Sequence, residues 1–286
     1  MSINKATALN ISKVLTEALP YIRKFSGKII VIKYGGNAMQ NNSLKRGFAR
    51  DVVLMKTVGI HPVIVHGGGP QIEEALKRNK IASEFINGSR VTSKEMISIV
   101  EKVLNTKINK DISNLIKQSG GKTSRLSTNK TSPVIASKDK SSRLGEVGKI
   151  ISVKKKSLKE SIEAGKIPVI SPIGWSRKGN PLNINADFVA CAIAAGLKAE
   201  KIILLTDISG IRDETGKKIS TITMKDAKKL IKNKKNIKGG MYPKLSSAIN
   251  SLENGVKNAH IVDGRVPHSV LIEILTDQGV GTWINK

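Results

Sequence analysis

The sequence predicts an α/β protein with helices on both faces of a mostly parallel sheet. Three observations predict it. Short apolar runs of β type alternate with segments of helical spacing along most of the 286 residues. The runs are continuous rather than alternating, as strands buried on both faces require. Several end in polar or glycine-rich turns that open into a helical pattern.

In chain order, residues 1–26 place Ile11, Val14, Leu15, Ala18, Leu19 and Ile22 at helical spacing. Pro20 lacks an N–H and crowds the preceding turn, so this helix is expected to be kinked. Its one arginine, Arg23, and its acid, Glu17, set it apart from an arginine-rich, acid-poor transit peptide. The strand runs are Ile29–Ile32, Val63–Val65, Val169–Ile170, Ile202–Leu205 and Ile261–Val262. Helical patterns lie near 43–58, 70–79, 93–118, 157–164, 185–196, 223–235, 243–254 and 267–277. Thr92 with Glu95, and Ser157 with Glu160, have capping-box spacing. Residues 122–156 are rich in Ser, Lys and Thr with scattered apolar residues, and are expected to hold short strands or a hairpin. No internal repeat is present.

The composition, 39% hydrophobic and 25% charged, suits a folded chain with a sizeable core. The length suits about two domains or lobes. No apolar run approaches the ~18 residues of a spanning helix, which excludes an integral membrane protein of that kind. The one cysteine, Cys191, excludes an internal disulfide framework and a multi-cysteine zinc site, and makes the cytoplasm the expected compartment. The net charge of +27 admits a nucleic-acid binder or an enzyme with anionic substrates. Only ten of the 49 cations are arginine and aromatics are 3%, so base-reading forks and stacking platforms are scarce. The enzyme reading is favoured, and no specific nucleic acid is expected.

Two glycine turns sharpen that reading. Lys33-Tyr34-Gly35-Gly36-Asn37 follows the first strand, and His66-Gly67-Gly68-Gly69-Pro70 follows the second. Pro70 suits the first turn of a helix. Glycines there let backbone N–H groups approach an anion beside a positive helix end. Neither turn is a Walker A loop or a G-x-G-x-x-G fingerprint. Two such turns at the carboxyl ends of consecutive strands mark a ligand site in an open α/β sheet. Lys33 ends its strand just before two glycines, over that site. Asn183-Ile184-Asn185-Ala186-Asp187 opens a helix of small apolar residues, where Asp187 is a site acid or simply a first-turn acid that suits the dipole. Cys191 on the same helix reads as a small core residue rather than a nucleophile. Lys244 lies in the first turn of a later helix, against the dipole, which an anionic partner would explain. Two lysines, an aspartate and backbone donors suit phosphoryl transfer without a P-loop.

These residues resemble the amino acid kinase family, and within it the members that phosphorylate N-acetyl-L-glutamate. The likeness spans nearly the whole chain. It rests on KYGGNAM at 33–39, GFARDVVLMKTVGIHPVIVHGGGPQI at 47–72, NGSRVT at 87–92 and LNINAD at 182–187. It continues in LLTDISGI at 204–211, GGMYPK at 239–244 and AHIVDGRVPHSVLIEILTDQGVGT at 259–282. The resemblance implies an open three-layer αβα sandwich. Residues 27–196 would form an acceptor-binding lobe and 197–286 a nucleotide-binding lobe, after an oligomerising helix at 1–26. It implies transfer of the ATP γ-phosphoryl to the acceptor's side-chain carboxylate, a step of arginine biosynthesis, with Mg2+ carried by the nucleotide. Lys33 and Lys244 would stabilise the transferring group and Asp187 would organise them. Gly68 and Gly69 would be backbone donors, Arg90 would hold the acceptor's α-carboxylate, and Asn183 would face its acetamido group. Asp207, Ile208, Ser209, Gly210, Ile211 and Arg212, with Asn236, Ile237 and Lys238, would form the nucleotide loops.

The resemblance further implies feedback inhibition by L-arginine in a homohexamer, a trimer of dimers linked by the N-terminal helix. His260, Glu273, Gly279 and Gly281 match the effector site. One departure is the basic, shortened stretch after Gly120-Gly121, which resumes the family pattern at Gly145-Glu146-Val147-Gly148. Acid kinases of the same fold acting on glutamate, aspartate, carbamate or a nucleoside monophosphate are the nearest alternatives, and Arg90 with the LNINAD segment argues against them. A non-catalytic nucleic-acid-binding or regulatory protein is the alternative from another class; Lys33, Asp187 and Lys244 argue against it.

Overall fold

The computed structural model describes residues 4–86, 88–139, 143–232 and 241–286. The strands are β1 (Ile29–Tyr34), β2 (His61–His66), β3 (Phe85–Ile86), β4 (Ser89–Arg90), β5 (Thr123–Leu126), β6 (Val134–Lys138) and β7 (Gly148–Val153). They continue as β8 (Ile167–Ile170), β9 (Ile173–Trp175), β10 (Pro181–Asn183), β11 (Lys201–Thr206), β12 (Thr221–Thr223), β13 (Asn258–Asp263) and β14 (Thr282–Asn285). Eight of them form one sheet in the order β12-β14-β13-β11-β1-β2-β8-β5. All neighbours in it are parallel except β13 and β14. The five apolar runs are β1, β2, β8, β11 and β13, five of the six inner strands of this sheet, with β14 the sixth. β6, β7, β9 and β10 make a second, four-stranded sheet, and β3 pairs with β4.

The helices are α1 (Lys5–Phe25), α2 (Asn42–Thr57), α3 (Gly69–Arg78), α4 (Lys94–Lys102), α5 (Asn109–Gln118) and α6 (Lys155–Glu163). After them come α7 (Ala186–Leu197), α8 (Met224–Lys232), α9 (Met241–Glu253) and α10 (Ser269–Leu275). A π-helical turn, Val103–Ile108, joins α4 to α5. Strand alternation divides the interior into two cores. Ile30, Ile32 and Tyr34 pack with residues of α2 to α5 and α10, while Val31, Val63 and Val65 pack with residues of α6 to α9. The result is the expected αβα layering, with β1 and β11 at its centre.

Three asparagines start helices by accepting first-turn N–H groups: Asn4 for α1, Asn41 for α2 and Asn185 for α7. Neither proposed capping box forms. Ser93 caps α4, because Thr92 is held by backbone bonds to Leu144 and Glu146 and its hydroxyl donates to the Arg90 carbonyl. In α6 the N-cap is Lys154, and Ser157 lies inside the helix with its hydroxyl donating to the Lys154 carbonyl. Residues 122–156 supply β5 at the sheet edge and the antiparallel pair β6–β7. α1 continues through Pro20 as one helix. Among the described residues no helix is long and apolar enough to cross a membrane.

Ile203 on β11 is fully buried in the first core. Ile203→Ala should lower unfolding free energy by about 2–5 kcal/mol in urea denaturation, through lost transfer energy and a residual cavity. A loss below ~1 kcal/mol would show that the sheet centre is not packed as described.

Candidate active site

The alternation of β1 that sends Ile32 and Tyr34 to one core turns Lys33 to the other side, with Val31 and toward α7. α7 packs across β1, β2 and β11. Its small residues Ala190, Cys191 and Ala194 allow that close approach, and burial pushes the Cys191 thiol up, as a core residue requires. The first turn of α7 therefore delivers Asp187 to the end of β1. Lys33 Nζ lies 3.1 Å from Asp187 Oδ1. Lys244, in the first turn of α9, donates from Nζ to Asp187 Oδ2 at 3.2 Å. Burial alone would raise the Asp187 carboxyl, but the two ammoniums outweigh it and hold the group below its usual range.

The glycine turns close around this triad. A methyl group on Gly35 would come 3.1 Å from Lys33 Nζ, so glycine there leaves room for the lysine to fold over the backbone. The Gly67 N–H donates to the Tyr34 carbonyl at 2.7 Å and ties the two turns together. A methyl on Gly68 would come 2.6 Å from Ile108 Cδ1 and 2.7 Å from Leu104 Cδ2. Gly69 starts α3 and Ala186 starts α7, so two positive helix ends open on the same space.

That space is a cavity of about 300 Å³. It brings together Lys33, Lys244, Asp187, Gly68, Gly69, Arg90 and Asn183, all singled out from the sequence. Arg90 reaches it from β4. Its Nη1 donates to Glu73 Oε2 at 2.7 Å and also to the Ser83 hydroxyl, and its guanidinium lies 4.5 Å from the Phe85 ring centre. Asn183 Nδ2 donates to the Thr92 hydroxyl at 3.0 Å. The sequence reading missed Glu73 and Thr92 as holders of Arg90 and Asn183. Their partners lie 17 and 91 residues away along the chain, so no local spacing announces them. With two ammoniums, peptide N–H groups and helix ends around it, the cavity is built for an anion.

The model of the amino acid kinase family matches residues 28–263. This chain belongs to the amino acid kinase family. Over its full length it is 47% identical to the acetylglutamate kinase of Stutzerimonas stutzeri (strain A1501) and covers 99% of that protein. The N-acetylglutamate synthase of Neisseria gonorrhoeae, solved with coenzyme A and N-acetyl-glutamate, matches 96% of this chain with a TM-score of 0.87 and 24% identity. The chain spans 63% of that synthase. The carbamate kinase of Giardia lamblia bound to AMP-PNP matches 91% of this chain and 99% of its own, with a TM-score of 0.69 and 16% identity. These two structures share the fold.

Within the family fold, the segment 207–212 leaves β11 next to the first glycine turn. A methyl on Gly36 would run into the Asp207 carboxylate, which places Asp207 against that turn. Ile208 is exposed. Arg212 donates to the Gly216 carbonyl at 2.6 Å and to the Ser209 hydroxyl at 3.2 Å. A methyl on Gly210 would come 2.6 Å from Thr282 Oγ1. The Ile211 side chain is buried in the second core, and its N–H donates to Thr282 Oγ1. Asn236, Ile237 and Lys238 lie outside the described residues.

His260, Glu273, Gly279 and Gly281 line a separate cavity of about 510 Å³ with Tyr21, Lys24 and Lys201. His260 Nδ1 is 2.6 Å from Glu273 Oε1, and Glu273 Oε2 accepts the Val280 and Gly281 N–H groups at 3.0 and 3.3 Å. Burial opposes the Glu273 charge, but these contacts win and lower its pKa. The glycines are required by close packing: a methyl on Gly279 would come 3.1 Å from Glu273 Oε1, and one on Gly281 would run into the Ile261 carbonyl. Lys201, at the start of β11, is pushed down to about 8 chiefly by burial.

Asp187→Asn should remove about 2–3 kcal/mol of stability at pH 7, less than the ~3–5 of a fully buried pair because the lysines keep some solvent contact. The folded pKa of Asp187 is depressed, so the loss should be complete above the unfolded carboxyl pKa of about 4 and shrink as pH falls through the folded value. Urea titrations at pH 7 and pH 3 test this; an equal difference at both would contradict it.

Proposed function

We propose that this protein transfers the γ-phosphoryl of ATP to the side-chain carboxylate of N-acetyl-L-glutamate, giving ADP and N-acetyl-L-glutamyl 5-phosphate in arginine biosynthesis. The observation that carries the proposal is the convergence of Lys33 and Lys244 on one buried aspartate beside the Gly67–Gly69 turn. The full-length likeness to an acetylglutamate kinase supports the choice of acceptor.

The acceptor carboxylate is already ionised at neutral pH, so the reaction needs no general base. One carboxylate oxygen attacks the γ-phosphorus, the bond to the bridging oxygen breaks, and ADP leaves with that bond's electrons. Charge on the three equatorial oxygens and on the leaving oxygen is met by the two ammoniums, with Gly68 and Gly69 supplying backbone donors. Asp187 keeps two like charges together in one small space. Arg90 presents a guanidinium fork for the acceptor's α-carboxylate, with Glu73 as its partner in the structure described. Asn183 is positioned for the acetamido group. Asp187 is already paired with its two lysines, so Mg2+ would be carried by the nucleotide rather than by this carboxylate, and would supply further positive charge for the phosphoryl group. Residues 27–196 form the acceptor lobe and 197–286, with Asp207–Arg212, the nucleotide lobe.

Regulation by L-arginine in a trimer of dimers extends the reading. α1 exposes Leu9, Ile11, Val14, Leu15 and Leu19, a stripe suited to a second copy of the same helix. Its last turns line the cavity that contains His260 and Glu273, so the two features inferred separately meet in one place. Glu273 and Lys201 give that cavity an acid and an ammonium, which suit a cationic amino acid with its carboxylate. Arginine shifts the enzyme only if it binds an open arrangement better than the closed one.

In a coupled ADP-release assay, Lys33→Ala and Lys244→Ala should each lower kcat about 10²–10³-fold with little change in KM, because the charge they meet develops in the transition state. Near-normal turnover in either variant would sink the assignment. Removing residues 1–16 spares Phe25, which is buried in the core, and the cavity-lining Tyr21. That variant should sediment as dimers and be much less sensitive to arginine. A full-length protein that is already a dimer and ignores millimolar arginine would refute the regulatory reading alone.

A further inference from the structure

His66 is fully buried at the end of β2, just before the glycine turn, and no step above uses it. Its Nδ1 is 2.9 Å from the Gly67 carbonyl oxygen. A carbonyl can only accept, so Nδ1 carries the proton and Nε2 is left as a lone pair. Nε2 faces Asn109 Nδ2 at 3.2 Å. The Asn109 amide has one orientation, because its Nδ2 also donates to the Val169 carbonyl at 3.0 Å and its Oδ1 accepts from Arg125 Nε at 3.0 Å. Arg125 is itself anchored, donating from Nη2 to the Asn105 carbonyl at 2.6 Å. Every N–H in this chain points the same way, from the guanidinium on β5 through Asn109 and His66 to the Gly67 carbonyl.

The Gly67 carbonyl and the Gly68 N–H belong to one planar peptide. Drawing charge onto that oxygen makes the attached N–H a stronger donor, and aligned hydrogen bonds reinforce one another. Its two flanks, the preceding peptide and the Gly68 Cα, are held as well. The Gly67 N–H is tied to Tyr34, and Leu104 and Ile108 of the π-helical turn pack against Gly68. Burial drives the His66 pKa down to about 4 against the raising effect of the Gly67 hydrogen bond, so the ring stays neutral across the working range.

We propose that the relay Arg125–Asn109–His66 orients and polarises the Gly67–Gly68 peptide, making His66 and Asn109 positioning residues for the Gly68 N–H donor in phosphoryl transfer. The link to catalysis rests on the function proposed above; the relay itself does not.

Asn109→Asp tests it with almost no change of shape. The new carboxylate still accepts from Arg125 but cannot donate to Nε2. The imidazole should then move its proton to Nε2 and turn a lone pair toward the Gly67 oxygen. In the full chain, ¹⁵N shifts of His66 should report the Nδ1–H tautomer in the wild type and the Nε2–H tautomer in Asn109→Asp, with the Gly68 amide proton moving upfield. Loss of such an outer support commonly costs about 10–100-fold, and here it should fall on kcat, with both KM values within about twofold. His66→Asn keeps a donor near the Nδ1 position and should retain more kcat than His66→Gln, which offers its amide near Nε2. A wild-type Nε2–H tautomer would overturn the relay without any variant having to fold. A flipped tautomer with wild-type kcat would overturn its catalytic role. A wild type that forms no ADP with N-acetyl-L-glutamate would remove the proposed function, while the tautomer and the Gly68 shift would still decide whether the relay exists.

Discussion

The carboxylate of Asp187, buried between the ammoniums of Lys33 and Lys244, is the interaction on which the site depends. The three residues come from β1, the start of α7 and the start of α9, and each element must hold its position to within a hydrogen-bond length. A buried lone carboxylate would be too costly to keep ionised, and two adjacent ammoniums would repel. Each charge is tolerable only in the presence of the others. Two positive charges against one negative leave a net cation at the bottom of the cavity, which is the condition an anionic substrate needs.

The surrounding architecture follows from keeping that cluster compact. β1 and β11 are parallel neighbours, so the break between residues 196 and 197 lies at the end of α7 and does not interrupt the sheet. The proposed acceptor and nucleotide lobes would therefore share one sheet and meet at its central pair of strands. Small residues let α7 sit close to β1, Gly35 leaves room for the Lys33 side chain, and Gly68 lets its turn pack closely on Leu104 and Ile108. The large positive charge has a plain reading in this setting. Lysine supplies 39 of the 49 cations, and lysine is a point charge rather than the fork that reads bases.

Five of the six inner strands were legible because each contains a continuous apolar run, as burial on both faces demands, whereas β14 is partly exposed and was not foreseen. Nor were β9 and β10 foreseen, and the edge strand β5 and the β6–β7 pair of the second sheet were legible only as a region of short strands. They are partly exposed, and their polar residues carry no strong period. The capping boxes failed for a related reason. Spacing identified Thr92 and Ser157 as possible caps, but backbone pairing near Thr92 and an earlier helix start before Ser157 removed both from the role.

Arg90 and Asn183 were carried by the family resemblance; sequence alone determined the α/β class with helices on both faces, the position of the two glycine turns and the placing of Lys33, Lys244 and Asp187 at strand and helix ends. Each of these is a local property, a run, a turn or a charge placed against its surroundings, and local physics is written in neighbouring residues. Tertiary structure decided which charges meet. It paired Lys33 and Lys244 with one carboxylate, gave Arg90 to Glu73, tied Glu273 to His260 and joined His66 to Arg125 through Asn109. Most of those partners lie far apart along the chain, and their contact depends on strand order and on the facing of alternate residues. No spacing in the sequence encodes that directly, because only the closed sheet sets which ends of which elements share a space.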